Sequence, residues 1–185
     1  MKSLNNWLLV LSVLSCFGCS SPVHEDDRGC AFVSDSIQYR VEFMSAGCVR
    51  ILSFPEGDTL VTRRLVVDSE KPAFKDYKWE DTGQKLLFRT RELSVVFDKA
   101  DVAFTFQETS TGKLLLKEKG DRKARNFKRS VAGGEQCLEV TQRFVPTEDE
   151  AIYGLGQYQN GIMNYRGKSV LLLQANMDIV NPFLI

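Results

Sequence analysis

The chain has 185 residues, with 24 Lys or Arg balanced by 24 Asp or Glu, one histidine and five cysteines. A neutral balance gives a polyanion nothing to bind, so no nucleic acid is expected as a partner. A single histidine, with no cysteine pair at ligand spacing, argues against a zinc site, and neither a metal nor another cofactor is expected.

The chain opens "MKSLNNWLLVLSVLSCFGCSS": one early lysine, an apolar run from Trp7 to Leu14, then small residues before a cysteine. That is a secretory signal, too short to span a bilayer as a permanent helix. Cys16 and Cys19 both stand where a bacterial lipoprotein signal carries its lipidated cysteine. Gly18 before Cys19 and the polar "SSPVHEDD" after it favour Cys19. Residues 1–18 are thus expected as a lipoprotein signal peptide and residues 19–28 as a solvated tether. The mature chain would be held by lipid on a Gram-negative envelope membrane, in the periplasm or on the outer membrane. An ordinary cleaved signal without lipid is the alternative. With Cys19 lipidated, Cys30, Cys48 and Cys137 remain, so at most one disulfide can form. Residues 29–185 suit one domain, large enough to bury a core without staples.

From Ser36 the sequence alternates. Ile37, Tyr39, Val41 and Phe43 share one face, and Gln38, Arg40 and Glu42 the other, as in a half-buried strand. The pattern returns in "CVRILSF" (Cys48 to Phe54), "KLLFRT" (Lys85 to Thr90), "ELSVVF" (Glu92 to Phe97) and "VAFTFQ" (Val102 to Gln107), then in "KLLLKEK" and "CLEVTQRF". Turn residues separate the runs at Pro55 to Asp58, Asp81 to Gly83, Asp98 to Asp101, Ser110 to Gly112 and Gly133-Gly134. Short strands at this spacing, without a long helical period, predict an all-β chain: an antiparallel β-sandwich or barrel. Phe74, Tyr77 and Trp79 read as core rather than as sugar-stacking aromatics. Lys117 to Arg129 holds seven basic residues and reads as a solvated loop face.

The last stretch, "EAIYGLGQYQNGIMNYRGKSVLLLQANMDIVNPFLI", is the most distinctive. Gly154 and Gly156 flank Leu155, which lets the backbone turn or closely approach another surface. Gln157, Gln159, Asn160 and Asn164 supply neutral donors and acceptors suited to sugar hydroxyls, with Tyr158 and Tyr165 as flat apolar faces. "VLLLQ" (Val170 to Gln174) reads as a buried strand leading into "ANMDIVNPF", where Asp178 stands in a short loop between apolar segments. Its carboxylate can accept hydrogen bonds from two neighbouring sugar hydroxyls. It can equally cap a turn with Asn176 and Asn181, and spacing alone favours that role.

Tyr153-Gly154-Leu155-Gly156-Gln157, then Asn164-Tyr165-Arg166-Gly167, then Gln174 through Asn176-Met177-Asp178 to Pro182-Phe183, closely resemble the N-terminal domain of glycoside hydrolase family 31. Within it the chain is most similar to the α-xylosidase and α-glucosidase branch. Upstream, "CVRILSFP", "FRTRELSVVFDK" and "VTQRFVPTEDEAIYGLGQ" follow the same order of motifs. Met177 departs from the small polar residue common there. The resemblance implies a galactose-mutarotase-like β-sandwich packed against a (β/α)8 barrel that carries two catalytic aspartates and works by a retaining mechanism. It also implies that Asp178 matches the acidic residue of a loop at the active-site entrance, and so binds substrate.

A (β/α)8 barrel alone takes about 250 residues, more than this chain contains. No catalytic residue is therefore expected within the 185 residues. The expectation is an N-terminal, substrate-entrance portion of an exported α-glycosidase acting on plant-type oligosaccharides, with the barrel as its partner. The close on "PFLI", inside an apolar run, fits a truncated end. The alternatives are a surface lipoprotein that binds glycans without cutting them, and a structural module that keeps only the sandwich.

Overall fold

The computed structural model describes residues 23–58, 73–120, 126–176 and 178–185. The expected signal peptide, Cys16 and Cys19 lie outside them, as do residues 121–125 of the basic run and Met177. The described residues contain no helix; every regular element is a strand and every strand pairing is antiparallel. The chain divides into two compact units, 1–78 with 90–92, and 79–89 with 93–185.

The first unit is a meander of β1 (His24–Glu25), β2 (Cys30–Ser34), β3 (Ile37–Ser45) and β4 (Cys48–Pro55), in that order across the sheet. The period-2 pattern of β3 behaves as read: Tyr39, Val41 and Phe43 are buried, with Phe32 stacked on Tyr39 and Tyr77 on Phe43, at ring separations of 5.3 and 5.1 Å. Tyr77 thus joins the core packing, and its hydroxyl donates to Glu25 at 2.9 Å. The other face of β3 departs from the expected polar surface. Glu42 is buried, its carboxylate 3.9 Å from Arg40 and 3.5 Å from Arg50. A buried carboxylate needs this pairing to offset its lost hydration.

Residues 24 and 25, expected inside the solvated tether, belong to this sheet. His24 pairs with Ala31 and Glu25 with Cys30, and the Asp26 carboxylate grips the Arg40 guanidinium with both oxygens. Residues 24–28 are therefore not all free, because a bidentate Arg–carboxylate contact and ladder bonds hold a segment that composition alone reads as a polar tether. Cys30 is buried and its thiol is pushed up to about 11, chiefly by desolvation, so it packs as an apolar side chain. Cys30, Cys48 and Cys137 are all free thiols.

The second unit carries a five-stranded sheet in the order β5 (Lys78–Asp81), β6 (Lys85–Arg89), β7 (Leu93–Asp98), β8 (Ala103–Glu108) and β9 (Leu114–Lys117). Leu86, Phe88, Val95, Phe97 and Phe104 are buried, with Phe97 and Phe104 paired across strands at a centroid distance of 4.9 Å. The edge strand β9 differs from the half-buried strand expected there: Leu114, Leu115 and Leu116 are all exposed.

β10 (Asn126–Ala132) and β11 (Glu135–Thr141) form a separate hairpin about Gly133-Gly134. Lys128 and Arg129 thus lie on a strand, not on the loop read from the basic run. Its β-branched and aromatic neighbours Phe127 and Val131 pair with Val140 and Gln136, and pattern outweighs charge. Beyond the hairpin the chain returns to the five-stranded sheet. Glu118 bridges to Phe144, and its buried carboxylate accepts the Phe104 backbone N–H at 2.8 Å and the Gln142 amide at 3.0 Å. The last pair is β12 (Gly154–Gln157) with β13 (Ile179–Leu184).

"VLLLQ" is not the buried strand expected of it. Residues 170–174 have no regular structure, and Leu171, Leu172 and Leu173 are exposed. Only Gln174 at its end bonds to the neighbouring strand, so no ladder organises the segment and no described layer covers it.

Candidate functional site

The β12–β13 pair is shaped by glycine. Gly154 and Gly156 have φ of +107° and +108°, and a Cβ on Gly156 would stand 2.0 Å from the Ile179 carbonyl oxygen. At Gly154 it would meet the Phe183 carbonyl oxygen at 2.3 Å. Side-chain-bearing residues would separate the strands here. The register shifts between the two glycines, with Gly154 opposite Leu184 and Gly156 opposite Val180, so β13 bulges over Asn181 to Phe183. A backbone pair between Tyr153 and Ile185, 3.0 Å in each direction, extends the pairing past the bulge.

Asp178 sits immediately before β13. Its backbone N–H donates to the Ala175 carbonyl at 3.3 Å, and the two residues form an isolated bridge that closes a tight turn. Gln174 braces that turn, its Oε1 accepting the Val180 N–H at 3.0 Å and its Nε2 donating to the Asp178 carbonyl at 2.9 Å. The backbone of the loop is thus held without the acid's own side chain. Among the described residues, the half-buried Asp178 carboxylate takes no hydrogen bond and no ion pair. Asn181, the expected capping partner, lies within β13.

Not all the polar residues read as sugar-facing are directed that way. Asn164 Oδ1 accepts the backbone N–H groups of Ile152 at 3.1 Å and Arg166 at 2.9 Å, which pins the loop ahead of β12. Arg166 completes the brace, its guanidinium donating to the carbonyls of Thr147 and Glu150, each at 2.6 Å. Asn160 Oδ1 accepts the Ile162 N–H at 2.9 Å. Gln157 and Gln159 are exposed beside the glycine pair. Tyr165 is buried, and Tyr158 meets it edge to face at 6.3 Å. Among the described residues no three His, Cys, Asp or Glu side chains gather as a metal site. Sequence reading missed Gln174 and Arg166 as braces, because each acts on backbone groups several residues away.

A family model, the glycosyl hydrolase 31 N-terminal galactose mutarotase-like domain, matches residues 38–181. The chain belongs to that family. The family 31 domain accordingly has the all-β, galactose-mutarotase-like sandwich class expected from its alternating strands and motifs. It is 30% identical over 165 residues to the α-xylosidase of Saccharolobus solfataricus, a match spanning 81% of this chain but 21% of that protein. The crystal structure of a family 31 α-xylosidase from Xanthomonas citri superposes with a TM-score of 0.72 at 28% identity, over 88% of this chain and 18% of the other. A family 31 α-xylosidase from a soil metagenome, solved with xylose, shares the fold with a TM-score of 0.65 at 24% identity, over 89% of this chain and 26% of that one. The family 31 domain thus spans about a fifth to a quarter of the length of these relatives.

Proposed function

We propose that this chain is the substrate-entrance domain of an exported α-xylosidase or α-glucosidase acting on plant-type oligosaccharides. In this reading it contributes no catalytic residue. A (β/α)8 barrel outside the 185 residues supplies a pair of aspartates about 5 Å apart, which cleave with retention through a covalent glycosyl-enzyme intermediate. The domain contributes Asp178, which accepts hydrogen bonds from sugar hydroxyls near the boundary between the sugar released and the next one. The observation that carries the reading is the arrangement at that residue. Its backbone is clamped by Gln174 and its turn closed by Ala175, while its carboxylate has no partner among the described residues. A turn-capping acid would spend its oxygens on nearby N–H groups.

Kinetics and melting of Asp178→Asn in the enzyme that carries the domain test the assignment. Loss of a charge-assisted contact of about 1.5–3 kcal/mol lowers the specificity constant about ten- to hundredfold, with melting unchanged. A fall in melting temperature with an intact specificity constant makes Asp178 structural and rejects the assignment.

Lipidation at Cys19 and residence on a Gram-negative envelope membrane complete the proposal, supported by the apolar run and the Gly18-Cys19 junction. Cys19→Ala should release the protein from the membrane fraction; unchanged attachment and processing would exclude Cys19 as the anchor.

A further inference from the structure

The Tyr158 hydroxyl is buried and, among the described residues, has no hydrogen-bond partner. A buried O–H without an acceptor costs stability, so its retention calls for an explanation. Packing explains the ring, which rests edge to face on buried Tyr165, but a phenylalanine ring would do the same. The end of the β12–β13 ladder brings an acceptor into its neighbourhood. In the antiparallel β12–β13 ladder Gly156 faces Val180 and Gln157 faces Ile179, so Tyr158 directly follows one member of the last pair and Asp178 directly precedes the other. The phenol's ionisation is pushed up, first by desolvation and then by the charges of Tyr165 and Asp178, so Tyr158 lies within the field of the Asp178 carboxylate.

We infer that Tyr158 is a positioning residue: in the sugar-bound enzyme its hydroxyl donates to the Asp178 carboxylate from the protein side and aims the remaining lone pairs at the substrate. This rests on the proposed sugar contact of Asp178. A carboxylate offers about four acceptor sites, enough for one internal donor and two sugar hydroxyls. The donor is held ready by the glycine-dependent strand pair, and its unmet bond in the free domain is completed when Asp178 is drawn to substrate. The same hydroxyl that burdens the free fold would then contribute to binding.

Two measurements test the pair and keep it distinct from the sugar contact. In the enzyme that carries the domain, Tyr158→Phe should lower the specificity constant about tenfold without lowering the melting temperature, and should have no further effect in an Asp178→Asn background. Additive losses, or a lowered melting temperature with unchanged kinetics, would overturn the inference. In the 185-residue chain itself, NMR titration of ¹³Cζ-labelled tyrosine should show the Tyr158 phenol ionising at lower pH once Asp178 is replaced by Asn. An unchanged Tyr158 titration overturns the pair. If the titration moves but Asp178→Asn leaves the specificity constant intact, the two residues are coupled, and it is the sugar contact, with the positioning role built on it, that fails.

Discussion

Gln174 holds Asp178 through the main chain, donating to its carbonyl at 2.9 Å while accepting the N–H of Val180 at 3.0 Å. One carboxamide thus spans both ends of the step from turn to strand, and the acid it serves keeps its carboxylate for other work. Gln174→Ala removes both bonds at an exposed site and should cost about 1 kcal/mol. Gln174→Glu keeps the acceptor for Val180 and loses only the donor to the Asp178 carbonyl, so it should cost less. Amide hydrogen exchange read at Val180 separates the two variants, with Ala giving the faster exchange.

The glycine pair makes a sharper prediction. Gly156→Ala puts a Cβ 2.0 Å from the Ile179 carbonyl at a φ of +108°, and should cost at least about 2 kcal/mol through strain and separation of β12 from β13. Gly134 also has a positive φ, +85°, but nothing lies within 4 Å of an added Cβ. Gly134→Ala should cost only about 1 kcal/mol. Paired urea denaturation of the two variants checks the difference, and equal losses would mean that backbone conformation alone sets the penalty.

Glu118 ties the returning chain to the sheet. Glu118→Ala leaves the Phe104 N–H and the Gln142 amide without this acceptor and should cost about 1–3 kcal/mol. Glu118→Gln should cost less, since its carbonyl oxygen can serve Phe104 while its NH₂ donates to a reoriented Gln142. Thermal melting of both variants orders them; a glutamine variant as unstable as alanine would show that the charge, not the hydrogen bonds, holds the site.

Acid should weaken the first unit at the Asp26–Arg40 pair. The Arg40 hydrogen bond, opposed by partial burial and aided by the Arg28 and Gly29 N–H groups, holds the Asp26 carboxyl down at about 2. An unfolded aspartate titrates near 3.9. Because the folded value is the lower one, the stabilisation is full above about pH 4 and is lost as pH falls toward 2. The pair is partly solvated, with side-chain exposures of 19% for Arg40 and 31% for Asp26, so its contribution is discounted to about 1 kcal/mol. Denaturation at pH 5 and pH 2.5 should show Asp26→Asn less stable than the parent at pH 5, with the gap narrowing at pH 2.5.

What the sequence determined by itself was local. The period-2 runs of β3, β6 and β7 were legible because alternation is written residue by residue, and the breaks at Gly83 and Gly133-Gly134 because turns demand particular backbone freedom. The ordered motifs from Tyr153 to Phe183 were enough to point to the family, and Asp178 stood out only through them, since spacing favoured a turn cap. The tertiary structure decided what depends on distant partners. Asp26 is held against the first sheet because Arg40 lies beside it, and Glu42 is buried because Arg40 and Arg50 flank it. Val170 to Leu173 is unpaired despite its apolar run, because a strand needs a neighbour as well as a pattern. The roles of Gln174 and Tyr158 depend on partners met only in the folded chain: Gln174 spans Asp178 and Val180, and Tyr158 follows Gln157, which pairs with Ile179. Pairing register is non-local: every residue carries the same donor and acceptor, and only the assembled backbone selects which ones meet.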